Sequence, residues 1–134
     1  MKILFLPLII MLAACYSIPF VQEGEANALE NFNKAEALFN QQQYQEAIPL
    51  YESSLKIRDL LIDTYKHLSI CYEKTGRDDE AVRILEKSLL VTNKDEDNLN
   101  NLIRLYDKVG RVEDAKRTKE WLNYIRSQAI GGKK

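Results

Sequence analysis

Apolar residues recur along most of this chain at the spacing of one helical face. Ala81, Ile84, Leu85, Ser88 and Leu89 fall at i, i+3, i+4, i+7 and i+8, and Leu61, Tyr65, Leu68 and Tyr72 fall at i, i+4, i+7 and i+11. Each run predicts a helix with a single buried stripe. Followed along the chain, the pattern predicts six helices, at roughly 27–41, 44–57, 60–74, 78–91, 95–108 and 112–128. Gly131-Gly132 stops the last of them.

Slid along itself, the chain matches at a period of 34. Gln45-Glu46-Ala47, Asp79-Glu80-Ala81 and Glu113-Asp114-Ala115 align, with Leu38, Tyr72 and Tyr106 in a column nine residues upstream of the alanines. Gly76-Arg77 and Gly110-Arg111 mark a turn inside the last two copies. An alanine at a recurring position lets two helix backbones approach closely, and Leu or Tyr fills the space beside it. Asn31 and Lys34 at one end, and Lys116, Lys119 and Glu120 at the other, stand where a further stacked neighbour demands apolar surface, so three copies form a capped array.

These features resemble the tetratricopeptide repeat. The middle copy carries the likeness through Tyr65-x2-Leu68-Ser69-x2-Tyr72 and then Ala81-x3-Leu85-x2-Ser88. The first copy keeps Ala35, Leu38, Ala47 and Tyr51, and the third keeps Leu99, Leu102, Tyr106 and Ala115 but has Lys119. The resemblance implies an all-α fold: a short right-handed α-solenoid of three helix pairs over residues 27–130, the copies covering about 28–61, 62–95 and 96–129, with 131–134 as a tail.

The beginning of the chain reads differently. Met1-Lys2 and the apolar run Ile3 to Ala14 form a charged n-region and an h-region too short to cross about 30 Å of hydrocarbon as a permanent helix. The run closes on Leu12-Ala13-Ala14-Cys15, which resembles the bacterial lipobox. That likeness implies a signal peptide over 1–14, cleavage before Cys15, and covalent lipid on Cys15. Several acyl chains on one residue suffice for stable anchoring. By the same likeness Tyr16, rather than an Asp, after the lipidated Cys favours the outer membrane, facing the periplasm. Residues 15–26, with Pro19 and Gly24, read as a tether.

Composition narrows the chemistry. Nineteen Lys and Arg against twenty Asp and Glu leave no net basic field to recruit nucleic acid. One histidine, His67, leaves no pair for a zinc protease motif, and neither G-x-S-x-G nor a Gly-rich phosphate loop occurs. Asp78-Asp79-Glu80 and Asp95-Glu96-Asp97 stand at expected helix starts, where carboxylates cap amides, and they lack the spacing of a calcium loop. No catalytic residue, metal site or cofactor is expected. Cys71, in an apolar stripe, reads as a small core residue.

The resemblance also implies a concave groove lined by the first helix of each pair. Carried over by column, it places Phe32, Asn33, Glu36, Phe39 and Asn40 there, followed by Lys66, His67, Ile70 and Lys74, then Asn100, Asn101, Arg104 and Lys108. The carboxylate clamp of chaperone-binding relatives is missing, since Phe32, Glu36, His67, Asp97 and Asn101 hold its positions. The expectation is a docking or assembly module that takes an extended peptide or a helix of another envelope protein. The alternative is a periplasmic accessory subunit that binds a small solute or cell-wall fragment, for which a closed apolar pocket is the discriminating feature. Charge is unevenly spread: residues 15–64 hold three basic and eight acidic side chains, whereas 115–134 hold six and one. Lys116, Arg117, Lys119 and Arg126 with Trp121 and Tyr124 form a second, basic candidate surface.

Overall fold

A computed structural model describes residues 19–55 and 61–131. The described residues form six helices: α1 (Pro19–Asn40), α2 (Tyr44–Ser54), α3 (Leu61–Lys74), α4 (Asp78–Val91), α5 (Glu96–Lys108) and α6 (Val112–Gly131). They pack as three antiparallel pairs, α1 on α2, α3 on α4 and α5 on α6. The pairs join through α2 against α3 and α4 against α5. Cys15 and the leader lie outside the described residues.

The alanine column is the centre of each pair. Ala47 and Ala81 are fully buried and Ala115 nearly so, beside Tyr51, Leu68, Leu85, Leu102 and Leu105. A second cluster of Leu99, Ile103 and Leu122 closes the far end. Cys71 is wholly buried, and its burial, followed by the nearby Glu36 charge, pushes the thiol up to about 12. It is a core residue rather than a reactive one.

The three turns within pairs share one geometry. Gly76 and Gly110 take φ of 77° and 81°, and Gln42 takes 60° at the equivalent place in the first pair. In each turn the next N–H reaches back to a helix carbonyl: Gln43 to Leu38 (2.9 Å), Arg77 to Tyr72 (2.8 Å) and Arg111 to Tyr106 (2.8 Å). This left-handed C-terminal cap suits glycine, and a side chain there costs about 1–2 kcal/mol. Gln42→Gly is therefore expected to raise the melting midpoint, and Gly76→Ala and Gly110→Ala to lower it. No atom lies within 4 Å of a Cβ built at either glycine, so backbone strain alone sets the loss. Parallel thermal melts of the three variants check the opposed signs.

A polar mortar seals the junctions between pairs. Tyr72 donates its hydroxyl to Glu52 and stacks under the Arg77 guanidinium at 4.5 Å; Tyr106 donates to Glu86 at 2.8 Å and stacks under Arg111 at 4.6 Å. The set repeats with the 34-residue period and lapses at the first copy, where Leu38 and Gln43 replace Tyr and Arg. At that end Glu30 pairs with Lys34 at 2.6 Å. The expected carboxylate cap is also present: Asp95 accepts the Asn98 N–H at 2.7 Å.

Two expectations change. The helix expected to start at 27 begins at Pro19, so the tether reading fails from Pro19 onward. Proline at a first helical position has its φ preset and no donor to lose, and Gly24 weakens a helix without forbidding one. Asn31, expected to face outward, instead donates to Ser53 Oγ of α2 at 2.9 Å.

Candidate functional site

The first helices of the three pairs, α1, α3 and α5, stand side by side, and polar and charged side chains clip each to the next. Glu36 meets His67, Lys66 meets Asp97 at 2.9 Å, and Glu73 takes both guanidinium nitrogens of Arg104 at 2.6 and 2.7 Å. All three clips join residues 31 positions apart. One repeat period less one helical turn brings facing side chains of neighbouring first helices together. The expected groove face is thus a stapled surface.

At the α1 end the staple continues into the core. Tyr51 of α2, fully buried, donates its hydroxyl to Glu36 Oε1 at 2.5 Å, and His67 Nδ1 stands 2.5 Å from the same oxygen. Burial, reinforced by the Glu36 carboxylate, holds the Tyr51 hydroxyl far above its ordinary range, so it remains a donor. Phe39 stacks on the His67 ring with centroids 4.7 Å apart, and both Phe32 and Phe39 meet Tyr51 edge-on. One carboxylate therefore ties three helices.

The Glu73–Arg104 pair is bidentate yet half exposed on the arginine side. Arg104, and then Lys108, holds the Glu73 carboxyl below its ordinary value of 4.5. A carboxyl depressed in the folded state adds stability above its unfolded value, and that stability is lost as pH falls through the folded one. Solvent screening limits it to about 1 kcal/mol or less. Arg104→Ala is accordingly expected to lower the melting midpoint slightly at pH 7 and by progressively less as pH falls below 4.5, which melts across a pH series measure.

The structure distributes the expected groove residues among three conditions. Lys66, His67, Glu36 and Arg104 are engaged in clips, and Lys108 pairs with Asp78 at 2.7 Å. Asn33, Asn40, Lys74 and Asn100 are exposed, with Ile70 and Asn101 half-buried beside them, and none of these six makes a side-chain hydrogen bond or ion pair among the described residues. Phe32 and Phe39 pack against the core beneath. They are half-buried supports of the groove rather than free contact surface, because their rings fill the gap between α1 and Tyr51. Glu73 and Tyr51 complete the site without having been expected there. The signal for Glu73 was an opposite charge 31 residues on.

Stacked antiparallel helix pairs with a stapled inner face define a helical-repeat scaffold, a class that typically binds other proteins through its surface. The chain belongs to the tetratricopeptide repeat family: the profile described as tetratricopeptide repeat matches residues 25–94, just over half of the chain. Among solved structures it is similar to one titled MamA MSR-1 C2, with a TM-score of 0.67 and 17% identity over 77% of this chain. A structure of a MamA mutant gives a TM-score of 0.64 and 19% identity over 74% of this chain. The chain spans 59% of the length of the first and 72% of the second. No curated protein matches it.

Proposed function

We propose that this protein is a lipid-anchored docking module of the bacterial envelope, held through Cys15 at the outer membrane and facing the periplasm. Its groove takes an extended segment or a helix of another envelope protein during assembly of a complex. The observation that carries the reading is the groove itself, where the cations Lys66, Arg104 and Lys108 are already matched by Asp97, Glu73 and Asp78. What stays available is Lys74 and the set of amides Asn33, Asn40, Asn100 and Asn101 beside Ile70. Amides offer donors and acceptors to a peptide main chain, and Ile70 offers an apolar contact. An acidic tail meets only Lys74 without displacing a carboxylate, since Lys66, Arg104 and Lys108 are already paired.

The anchor rests on the lipobox likeness of Leu12-Ala13-Ala14-Cys15. Labelled palmitate and intact mass test it: the protein is expected to incorporate lipid, and Cys15→Ala to lose it. A photo-crosslinker at position 100 in intact cells tests the groove. Adducts with an envelope protein are expected, weakened by about tenfold or more when Asn33 and Asn101 are both replaced by Ala while the melting midpoint holds. Equal capture by that double variant refutes the groove.

A further inference from the structure

We propose that the outer ends of α4 and α6 form a docking face for an anionic lipid bilayer. The face stands on the second helices of the last two pairs, apart from the groove on the first helices, and it is independent of the proposed lipid on Cys15. Leu90 is 87% exposed at the end of α4, and Tyr124, one repeat period later on α6, is 54% exposed. One turn before Tyr124 on α6 stands Trp121, whose indole N–H donates to the Asn93 carbonyl at 2.8 Å and whose ring stacks on Tyr124 with centroids 5.4 Å apart. The aromatic pair is thereby held in place at the surface. It borders a cavity of about 580 Å³ lined by Lys94, Trp121, Tyr124, Ile125, Gln128 and Ala129, with no acidic side chain among them.

Charge selects the occupant. Lys94 stands on the cavity rim, and Lys87, one turn before Leu90, lines a separate depression that also holds Glu52, Glu80, Arg77 and Arg83. Both lysines are exposed, and neither forms an ion pair among the described residues. Trp and Tyr rings with an apolar body and a polar edge, flanked by lysines, match the boundary between acyl chains and phosphate headgroups. Each lysine near an anionic surface contributes about 1 kcal/mol. In the acidic half of a second copy Glu30 is paired with Lys34, Glu36 is held by Tyr51 and His67, and Glu52 accepts from Tyr72, whereas Glu46 and Asp63 have no ion pair among the described residues, so a second copy is the rival occupant that the test separates from a bilayer. Among the described residues no helix is long and apolar enough to cross a membrane, so the contact lies on the bilayer.

Trp121 is the single tryptophan of the chain and makes the test specific. The full chain carrying Cys15→Ser is mixed with vesicles of phosphatidylcholine alone or with phosphatidylglycerol added, with and without brominated acyl chains. The apolar leader holds no tryptophan, so its own attachment to lipid leaves the emission unmoved. Blue-shifted, bromine-quenched emission is expected on the anionic vesicles and is expected to weaken with added salt. Lys87→Glu with Lys94→Glu should reduce partition at least about tenfold at unchanged helicity. Leu90→Ser with Tyr124→Ser should remove the blue shift. The proposal is overturned by an unmoved emission on anionic vesicles or by equal responses on both vesicle types. It is overturned equally by a lipid-free, concentration-dependent shift with dimers in sedimentation, which assigns the face to a second copy.

Discussion

Replacing Tyr51 by Ala is expected to cost about 3–5 kcal/mol, the range for removing a large buried aromatic side chain. That is a large fraction of the roughly 5–15 kcal/mol that holds a domain folded. Tyr51 is fully buried, and its ring is the common neighbour of Phe32, Phe39 and His67. Its loss opens a cavity where α1, α2 and α3 meet and also removes one donor from Glu36. Tyr51→Phe isolates the second effect: the ring stays, the hydrogen bond to a carboxylate goes, and about 1.5–3 kcal/mol is expected. Leu90→Ala, at an 87% exposed position, should change stability by less than about 0.5 kcal/mol. Urea unfolding of the three variants beside the parent gives the order. A loss for Tyr51→Ala no larger than that for Tyr51→Phe contradicts the role of the ring as the shared core of the first junction.

The same residue shows where sequence reading reaches and where it stops. Helix existence and pairing were legible because burial imposes a period on Leu, Ala and Tyr, and the 34-residue recurrence of Ala47, Ala81 and Ala115 multiplies that signal. The start of α1 was not, since Pro19 and Gly24 are breakers inside a helix but neutral or tolerable near its first turn. Column arithmetic placed Lys66, His67 and Arg104 on the first helices, where the structure links each to the neighbouring first helix. It could not tell a contact residue from a support. Phe32 and Phe39 share a face with Asn33 and Asn40, and only the depth of Tyr51 beneath them decides that the rings turn inward. The clips lay one step further on, in pairs such as Glu73 and Arg104 separated by 31 rather than 34 positions. A search for recurrence at the repeat length passes over partners offset by a helical turn.

Those clips also bear on how the groove works. Three neighbouring first helices are fixed to one another at Glu36–His67, Lys66–Asp97 and Glu73–Arg104, and α3 and α5 are each sealed to the second helix of the preceding pair by Tyr72–Glu52 and Tyr106–Glu86. A surface braced on both sides of its core is presented in one shape, so a ligand meets contact residues already in place and little ordering cost is left for binding. The exposed clips are individually weak. Their value lies in setting the angle between pairs, and the apolar junctions supply the stability.

Ala81→Leu places the heaviest demand on those junctions. Ala81 is fully buried at the crossing of α3 and α4, with Leu68, Tyr72 and Leu85 in the same cluster and packed pairs on either side. Added methylenes there have nowhere to go without pushing a helix off its neighbour, and a loss of about 1–3 kcal/mol is expected. Ala115→Leu inserts the same volume into the last pair, where α6 carries exposed Lys116, Lys119 and Glu120 and packs mainly on α5. That helix can shift outward, so its loss should be the smaller of the two. Thermal melts of both variants decide the point: Ala81→Leu must fall further than Ala115→Leu. The reverse order shows that the close helix crossing within a pair, rather than confinement between neighbouring pairs, limits what the alanine column accepts.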